Sequence, residues 1–198
     1  ELPIEHLSAY TLTIEEGTPF HRRGVTVAEE AEERALETAD RVLPELGFTR
    51  YEVSNFARPG AESRHNLAYW RNWHYYGLGP GASGHYPAAT SGPGGEGDTV
   101  STRVKNPPLG RWLEGERGPG EPVTRLDWLT DALYAGLRLV GGVDVADLSA
   151  RAGLDLLTVR GEAIERLTGK GWLASQGTNL RATPAGLWVL NRVVAELL

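Results

Sequence analysis

The alternation of apolar and polar positions divides the chain into stretches of different period. Residues 4–14, IEHLSAYTLTI, alternate with period two. Leu7, Ala9, Thr11 and Thr13 fall on one side, and Ser8, Tyr10, Leu12 and Ile14 on the other. Both sides are largely uncharged, which predicts a strand covered on both faces. The turn chemistry of Glu15-Glu16-Gly17-Thr18-Pro19 ends it. Over 27–46 the period changes to that of a helix. Ala28, Ala31, Ala35, Ala39, Val42, Leu43 and Leu46 form one apolar stripe. Thr26 and Glu29 have capping-box spacing, Gly47 is the expected stop, and Pro44 sits in the last turn. Phe48 to Phe56 reads as a second strand. Strand, helix, strand predicts a βαβ unit with a right-handed parallel crossover.

Residues 57–64 read as a loop and the aromatic-rich 65–76 as a short strand. Residues 77–84, GLGPGASG, are too glycine-rich for a strand interior and predict backbone in close approach to something. Residues 87–99 have loop composition. Val100–Lys105 predicts a strand, Pro108–Glu114 a short helix and 115–122 an interdomain linker. From Thr124 the character changes. Helices are predicted over Trp128–Leu139, Val145–Ala152 and Leu157–Thr168. Two short strands follow, around the turn 176–179, and then a helix that Thr183 caps with Pro184 at its first position. Three helices, a hairpin and a closing helix make a winged-helix-like module. The expected division is 1–115 and 123–198.

Composition narrows the chemistry. The chain of 198 residues has a net charge of −6, 40% hydrophobic and 23% charged residues, which is ordinary for a globular protein. The negative charge argues against nucleic-acid binding through a basic surface. No apolar run approaches the roughly 18–20 residues that span a bilayer, and the start carries no signal-peptide pattern. With no Cys there is no disulfide and no thiolate-held metal or iron–sulfur cluster within these residues. The absence of Met, even at position 1, predicts that the sequence begins inside a longer translation product. An excess of Arg over Lys, 18 to 2, fits a thermophile or a GC-rich genome.

Residues 51–86 concentrate aromatic, imidazole, carboxylate and amide groups more densely than any other stretch. Gly77-x-Gly79-x-Gly81 opens no clear helix and is not a dinucleotide fingerprint. The five His have no short metal spacing. His65 differs from the others in its company, Asn66, Tyr69 and Trp70. Flat rings beside an imidazole suit a flat aromatic ligand such as haem, or else an aromatic cluster that covers one end of a sheet. Glu15, Glu16 and Glu52 fall at or near predicted strand ends. Ligand sites in α/β folds gather at such ends, so Glu15, Asn55 and Arg58 are candidates for the mouth of a site. The winged-helix-like module raises DNA binding, but from Thr124 onward eight basic residues are matched by eight acidic ones.

Three segments together resemble a known family: HLSAYTLTIEEGTPF (6–20), YEVSNFARPGAESRHNLAYW (51–70) and YYGLGPGASG (75–84). They are similar to the second half of the radical SAM oxygen-independent coproporphyrinogen III oxidase family. The HN-x-x-Y-W signature at His65–Trp70 points to its HemW-type haem chaperones. ALYAGLRLVGGVD (132–144) and LRATPAGLWVLN (180–191) look like the family's HemN C-terminal domain. The resemblance implies an α/β fold: the C-terminal part of a partial radical SAM (β/α) barrel, followed by that winged-helix-like domain. It implies a haem-binding and haem-delivering chaperone, with oxidative decarboxylation in porphyrin biosynthesis as the alternative. It also implies a [4Fe–4S] cluster and S-adenosylmethionine in the full-length protein. The cluster's CxxxCxxC loop and the first part of the barrel are missing here, so this segment alone is expected to be inactive.

By the same resemblance His65, Asn66, Tyr69 and Trp70 take haem, with His65 the candidate iron ligand. Tyr10, Thr11, Thr13 and Ser83 lie on the S-adenosylmethionine side. Many relatives read Ala-His-Ser where this chain has Ala82-Ser83-Gly84. A cytoplasmic location and haem-accepting protein partners are expected, with no membrane span and no nucleic acid. The oligomeric state is left open.

Overall fold

The computed structural model describes residues 3–88 and 98–197. Their contacts divide them into two compact units, one ending at Ser63 and one starting at Arg64.

The first unit opens with β1 (His6–Ser8), then α1 (Pro19–Arg22), α2 (Glu29–Glu45), β2 (Thr49–Glu52) and β3 (Asn55–Ala57). The long strand expected over 4–14 is only three residues, and residues 9–15 have no regular structure. Tyr10 and Leu12 are exposed there, so among the described residues their face of the alternation is not covered. Thr18 caps α1, a helix that the turn chemistry concealed. Helix α2 starts at Glu29 behind Ala28, with no side-chain cap, so the predicted capping box does not form. Gly47, at φ +84°, stops it, and Pro44 lies inside it.

The single strand expected over 48–56 breaks at Val53-Ser54 into a hairpin. The sheet order is β1-β3-β2, and β3 is antiparallel to both neighbours. β1 and β2 therefore run in the same direction without pairing, because β3 lies between them. Phe48, Phe56 and Ala57 are buried here, together with two polar residues, Glu52 and Asn55. Asn55 donates its Nδ2 to Glu52 Oε1, and its Oδ1 accepts from Ser8 Oγ at 2.5 Å. Glu52 Oε2 is buried and has no partner among the described residues.

The second unit begins with α3 (Arg64–Trp70), β4 (Ser83–Pro87), β5 (Thr99–Lys105), α4 (Leu109–Leu113) and β6 (Gly120–Thr124). β4, β5 and β6 form an antiparallel sheet in that order. The predicted strand over 65–76 is a helix through Trp70, and most of the expected linker at 115–122 leads into or lies within β6. Of the loop expected over 87–99, Pro87 and Thr99 belong to strands, and residues 89–97 lie outside the described residues.

The remaining elements are α5 (Arg125–Gly136), β7 (Val143–Asp144), α6 (Val145–Ala152), α7 (Leu156–Gly169), β8 (Leu173–Gln176), β9 (Asn179–Ala182), α8 (Pro184–Trp188) and α9 (Leu190–Leu197). They form a winged helix whose wing is the β8–β9 hairpin, with β7 on its outer edge. Local chemistry sets each boundary. Thr124, Asp144, Asp155 and Thr183 each accept a first-turn backbone N–H with a side-chain oxygen. Gly153 ends α6 in the left-handed region, at φ +67°. The core is Leu129, Leu137, Leu156, Leu167, Leu173 and Val193, each at most 2% exposed.

Candidate functional site

Helix α3 brings the four signature residues together. His65 and Tyr69, one turn apart, are both exposed, and their rings meet edge-on at 4.8 Å. Asn66 and Trp70 are half-buried on the adjoining face. The Arg138 guanidinium of the α5 C-terminal end lies 5.5 Å from the Trp70 ring. The Trp70 Nε1 is buried with no partner among the described residues.

The end of α3 is held by the winged-helix module. Asn72, at φ +49°, turns the chain out of the helix, and its Nδ2 donates to the Trp128 carbonyl at 3.3 Å. Arg151 Nη2 donates to the Arg71 carbonyl at 3.0 Å and to the Asn72 carbonyl at 3.3 Å. Those carbonyls lie at or just past the helix end, where a cation is favoured. The same guanidinium lies over the Trp128 ring at 4.7 Å. One arginine of α6 thus fixes the signature helix to α5.

A row of rings continues from α3 into the sheet. Tyr69 meets Tyr75 at 4.5 Å, Tyr75 meets His85 at 6.1 Å, and His85 meets His74 at 5.1 Å. Tyr75 and His85 also exchange both backbone hydrogen bonds, each 2.9 Å, which ties residue 75 to the edge of β4. His85 is 2% exposed and its Nε2 is 2.7 Å from Ser101 Oγ. Burial, with His74 beside it, pushes its pKa down to about 4. Burial and Arg151 lower that of His74 as well, and burial raises that of Tyr75. His85 is therefore a neutral interior imidazole, whereas His65 at the other end of the row is open to solvent.

Sequence reasoning missed the His85–Ser101 pair. The signal was the alternation of β5: Ser101 pairs with Pro87, one diagonal step from His85 on the same sheet face.

The other candidates are distributed differently. Tyr10, Thr11 and Thr13 are exposed in the irregular segment after β1, in the first unit. Ser83 is exposed at the start of β4, in the second. Of the residues expected at a site mouth, Glu15 and Arg58 are exposed, and the Arg58 guanidinium stands 4.8 Å from the Phe48 ring. Asn55 is an interior residue instead, because Glu52 and Ser8 occupy its amide. The close approach predicted at the glycine-rich stretch is to the chain itself: a Cβ at Gly77 would stand 2.6 Å from the Ser83 carbonyl carbon. Asn106 Nδ2 holds this turn by donating to the Gly77 and Gly79 carbonyls at 3.1 and 2.8 Å. Among the described residues no three His, Cys, Asp or Glu gather as a metal site.

Residues 123–189 match the HemN C-terminal domain. The chain is 32% identical to the mitochondrial radical S-adenosyl methionine domain-containing protein 1 of Danio rerio, over 98% of this chain and 46% of that protein. It is 38% identical to the heme chaperone HemW of Synechocystis, over 73% of this chain and 35% of that one. The chain belongs to the HemN/HemW family of radical SAM proteins. The HemW of Mycobacterium tuberculosis is 34% identical over 98% of the chain and 48% of its own length. The chain spans about half the length of the curated relatives it matches, or less. The coproporphyrinogen III oxidase HemN of Escherichia coli, a radical SAM enzyme, shares the fold with a TM-score of 0.67 at 14% identity, over 98% of this chain and 48% of that one. The family fold is thus mixed α/β and carries the winged-helix HemN C-terminal domain expected from the sequence.

Proposed function

We propose that this chain is the haem-handling part of a HemW-type haem chaperone, and that His65 is the iron ligand. The observation that carries the reading is the exposed His65–Tyr69 pair on a helix whose far end is clamped by Arg151. The relatives named as heme chaperones support it at 29–38% identity. The fit to haem is chemical. A porphyrin supplies four nitrogens of its own, so one accessible neutral imidazole is enough to add an axial ligand. His65 offers its nitrogen lone pair, Tyr69 sets a ring edge against it, and Asn66 lies on the adjoining helix face. Trp70 and Arg151 keep the helix in place. A single exposed ligand suits a cargo that must leave again for an accepting protein.

The fit to an iron–sulfur cluster fails within these residues, because the sequence has no Cys. No radical step is assigned to them. Tyr10, Thr11, Thr13 and Ser83 stay proposed for the S-adenosylmethionine side of the longer protein. The oxidase reading has only likeness of fold behind it. Among the described residues no helix is long and apolar enough to cross a membrane. The haem carrier is proposed for the cytoplasm, and the net charge of −6 disfavours nucleic acid as a partner.

The test is titration with haemin, following the Soret band. His65→Ala is expected to shift the band and lower the affinity roughly tenfold or more, while His74→Ala leaves both unchanged. Identical spectra for wild type and His65→Ala would remove His65 as the ligand.

A further inference from the structure

An opening in the winged helix lies between α6, the start of α7 and the β8–β9 wing. It has a volume of about 570 Å³, within the range that takes a ligand or an anchoring side chain. Its floor is Ile164 and Leu180, both buried, and its walls include Val145, Ala146 and Leu157. Leu157 is 54% exposed, a large apolar side chain facing solvent at the rim. The opening continues along α7 as a groove past Gly161, Glu165 and Thr168. Both parts share Leu157, Ile164 and Ser175.

Among the described residues that line this groove, the charge has one sign, and Arg160 and Arg166 line the adjoining opening on the other side of Gly161. Asp155 and Glu165 line the groove, and no Lys or Arg does. Asp144 stands beside it, accepting from the hydroxyl of the lining residue Thr178 at 2.6 Å. The Thr178 hydroxyl holds the Asp144 carboxyl below its ordinary range, and the Thr158 hydroxyl does the same for Asp155. Both stay ionised at any physiological pH. The two arginines of α7 are engaged elsewhere. Arg160 Nη2 donates to Thr130 Oγ1 of α5 at 3.3 Å, and Arg166 Nη2 donates to the Glu196 carbonyl of α9 at 2.9 Å.

We infer that this groove is a docking site for a segment of a partner protein that presents an apolar side chain flanked by Lys or Arg. The apolar floor takes the anchor and the acidic rim takes the flanking cations. The groove itself is lined by apolar and acidic residues, so phosphate is repelled from it. Exposed Leu109, Arg111 and Leu113 on α4 have the same apolar–basic chemistry, so a second copy of the chain is the competing occupant. The inference does not depend on haem binding.

Gly161 permits a clean test. A Cβ there meets nothing within 4 Å, and its helical backbone accepts any side chain. Gly161→Trp fills the groove, and helix formation favours any residue but Pro over Gly. The probe is a random-peptide display library selected on the full chain. Enriched peptides should share an apolar residue flanked by Lys or Arg, and should bind Gly161→Trp at least roughly tenfold more weakly at unchanged Tm. Glu165→Lys, at the exposed rim, should weaken the same peptides in low salt and less so in high salt. If Gly161→Trp does not fold, this second variant decides. The inference is overturned if nothing is enriched over the Gly161→Trp control, if the consensus is acidic, or if both variants bind as wild type does. It is equally overturned if sedimentation shows a dimer of the wild type that Gly161→Trp dissociates, or if duplex DNA binds in a way that Gly161→Trp abolishes.

Discussion

The winged-helix module and the unit before Arg64 both contain amphipathic helices, yet they use them differently. In the module, Leu137, Ala152, Leu156, Leu167 and Val193 have no exposed surface at all. In the first unit the 17-residue α2 buries none of its residues, although it carries a regular apolar stripe. The most deeply buried of the described residues in that unit is a carboxylate, Glu52. A periodic stripe states which face of a helix needs cover. It does not state that the cover is in the same stretch of chain. The module closes on itself, and its caps and wing turn are chosen for that closure. Among the described residues the first unit leaves its stripe only partly covered, with Tyr10 and Leu12 exposed.

The contrast can be broken by mutation, and the largest effect is expected in the module. Leu167→Ala opens a cavity where no surface is exposed. It should cost about 2–5 kcal/mol, read from the denaturant midpoint of a transition followed by Trp fluorescence. A loss below about 1 kcal/mol would mean that the module's core rearranges freely, and the contrast would lose its stronger half.

Acid should act on the second unit next. His85 has its folded pKa depressed from the ordinary 6.5 to about 4. The unfolded chain therefore takes up a proton that the folded chain refuses. The contribution of His85 is complete above about pH 6.5 and is lost as pH falls from there toward 4, by at most about 3 kcal/mol. His74, lowered in the same direction, adds to the slope. Arg103 and Arg151 oppose protonation from the sides of the sheet and α6. Denaturation midpoints taken between pH 7.5 and 4 should fall steeply for wild type and less for His85→Gln. Equal slopes would show that the imidazole is not the group responsible.

A smaller effect is expected in the first unit. Asn55→Ala removes the donor to Glu52 Oε1 and the acceptor of Ser8 Oγ. Leaving a buried carboxylate oxygen without its partner should cost about 2 kcal/mol, with Asn55→Asp no better because it also lacks the donor. An unchanged midpoint in both variants would mean that water reaches the pair and that this unit has no interior of its own.

How far the sequence revealed these features follows the same division. The helices and wing of the module were legible because period and turn signals agree over short distances, as at Thr183 with Pro184. The signature helix was hidden because Tyr69, Trp70 and Trp73 belong to strand-favouring types. Its helical state rests on Arg151 and Trp128, some 60 to 80 positions along the chain, and no local window contains them. The hairpin at Val53-Ser54 was hidden because its turn carries neither Gly nor Pro. His65 was found as a candidate through the company it keeps in sequence, and that company is real, since α3 carries all four residues. The groove beside α7 was invisible, because its walls come from three elements and its sign depends on where Arg160 and Arg166 turn.

The smallest expected effect tests the comparison most directly. Val42 lies on the α2 stripe and is only partly covered. Val42→Ala should cost about 0.5 kcal/mol, several-fold less than Leu167→Ala, and it should do so at every protein concentration. The truncation removes two methyl carbons from a surface that already touches water, so little transfer free energy and no cavity are involved. A cost of 2 kcal/mol or more would mean that the stripe is covered in solution. A cost that grew with protein concentration would identify that cover as another molecule of the same chain, because only then does the truncated methyl surface lie in an association equilibrium.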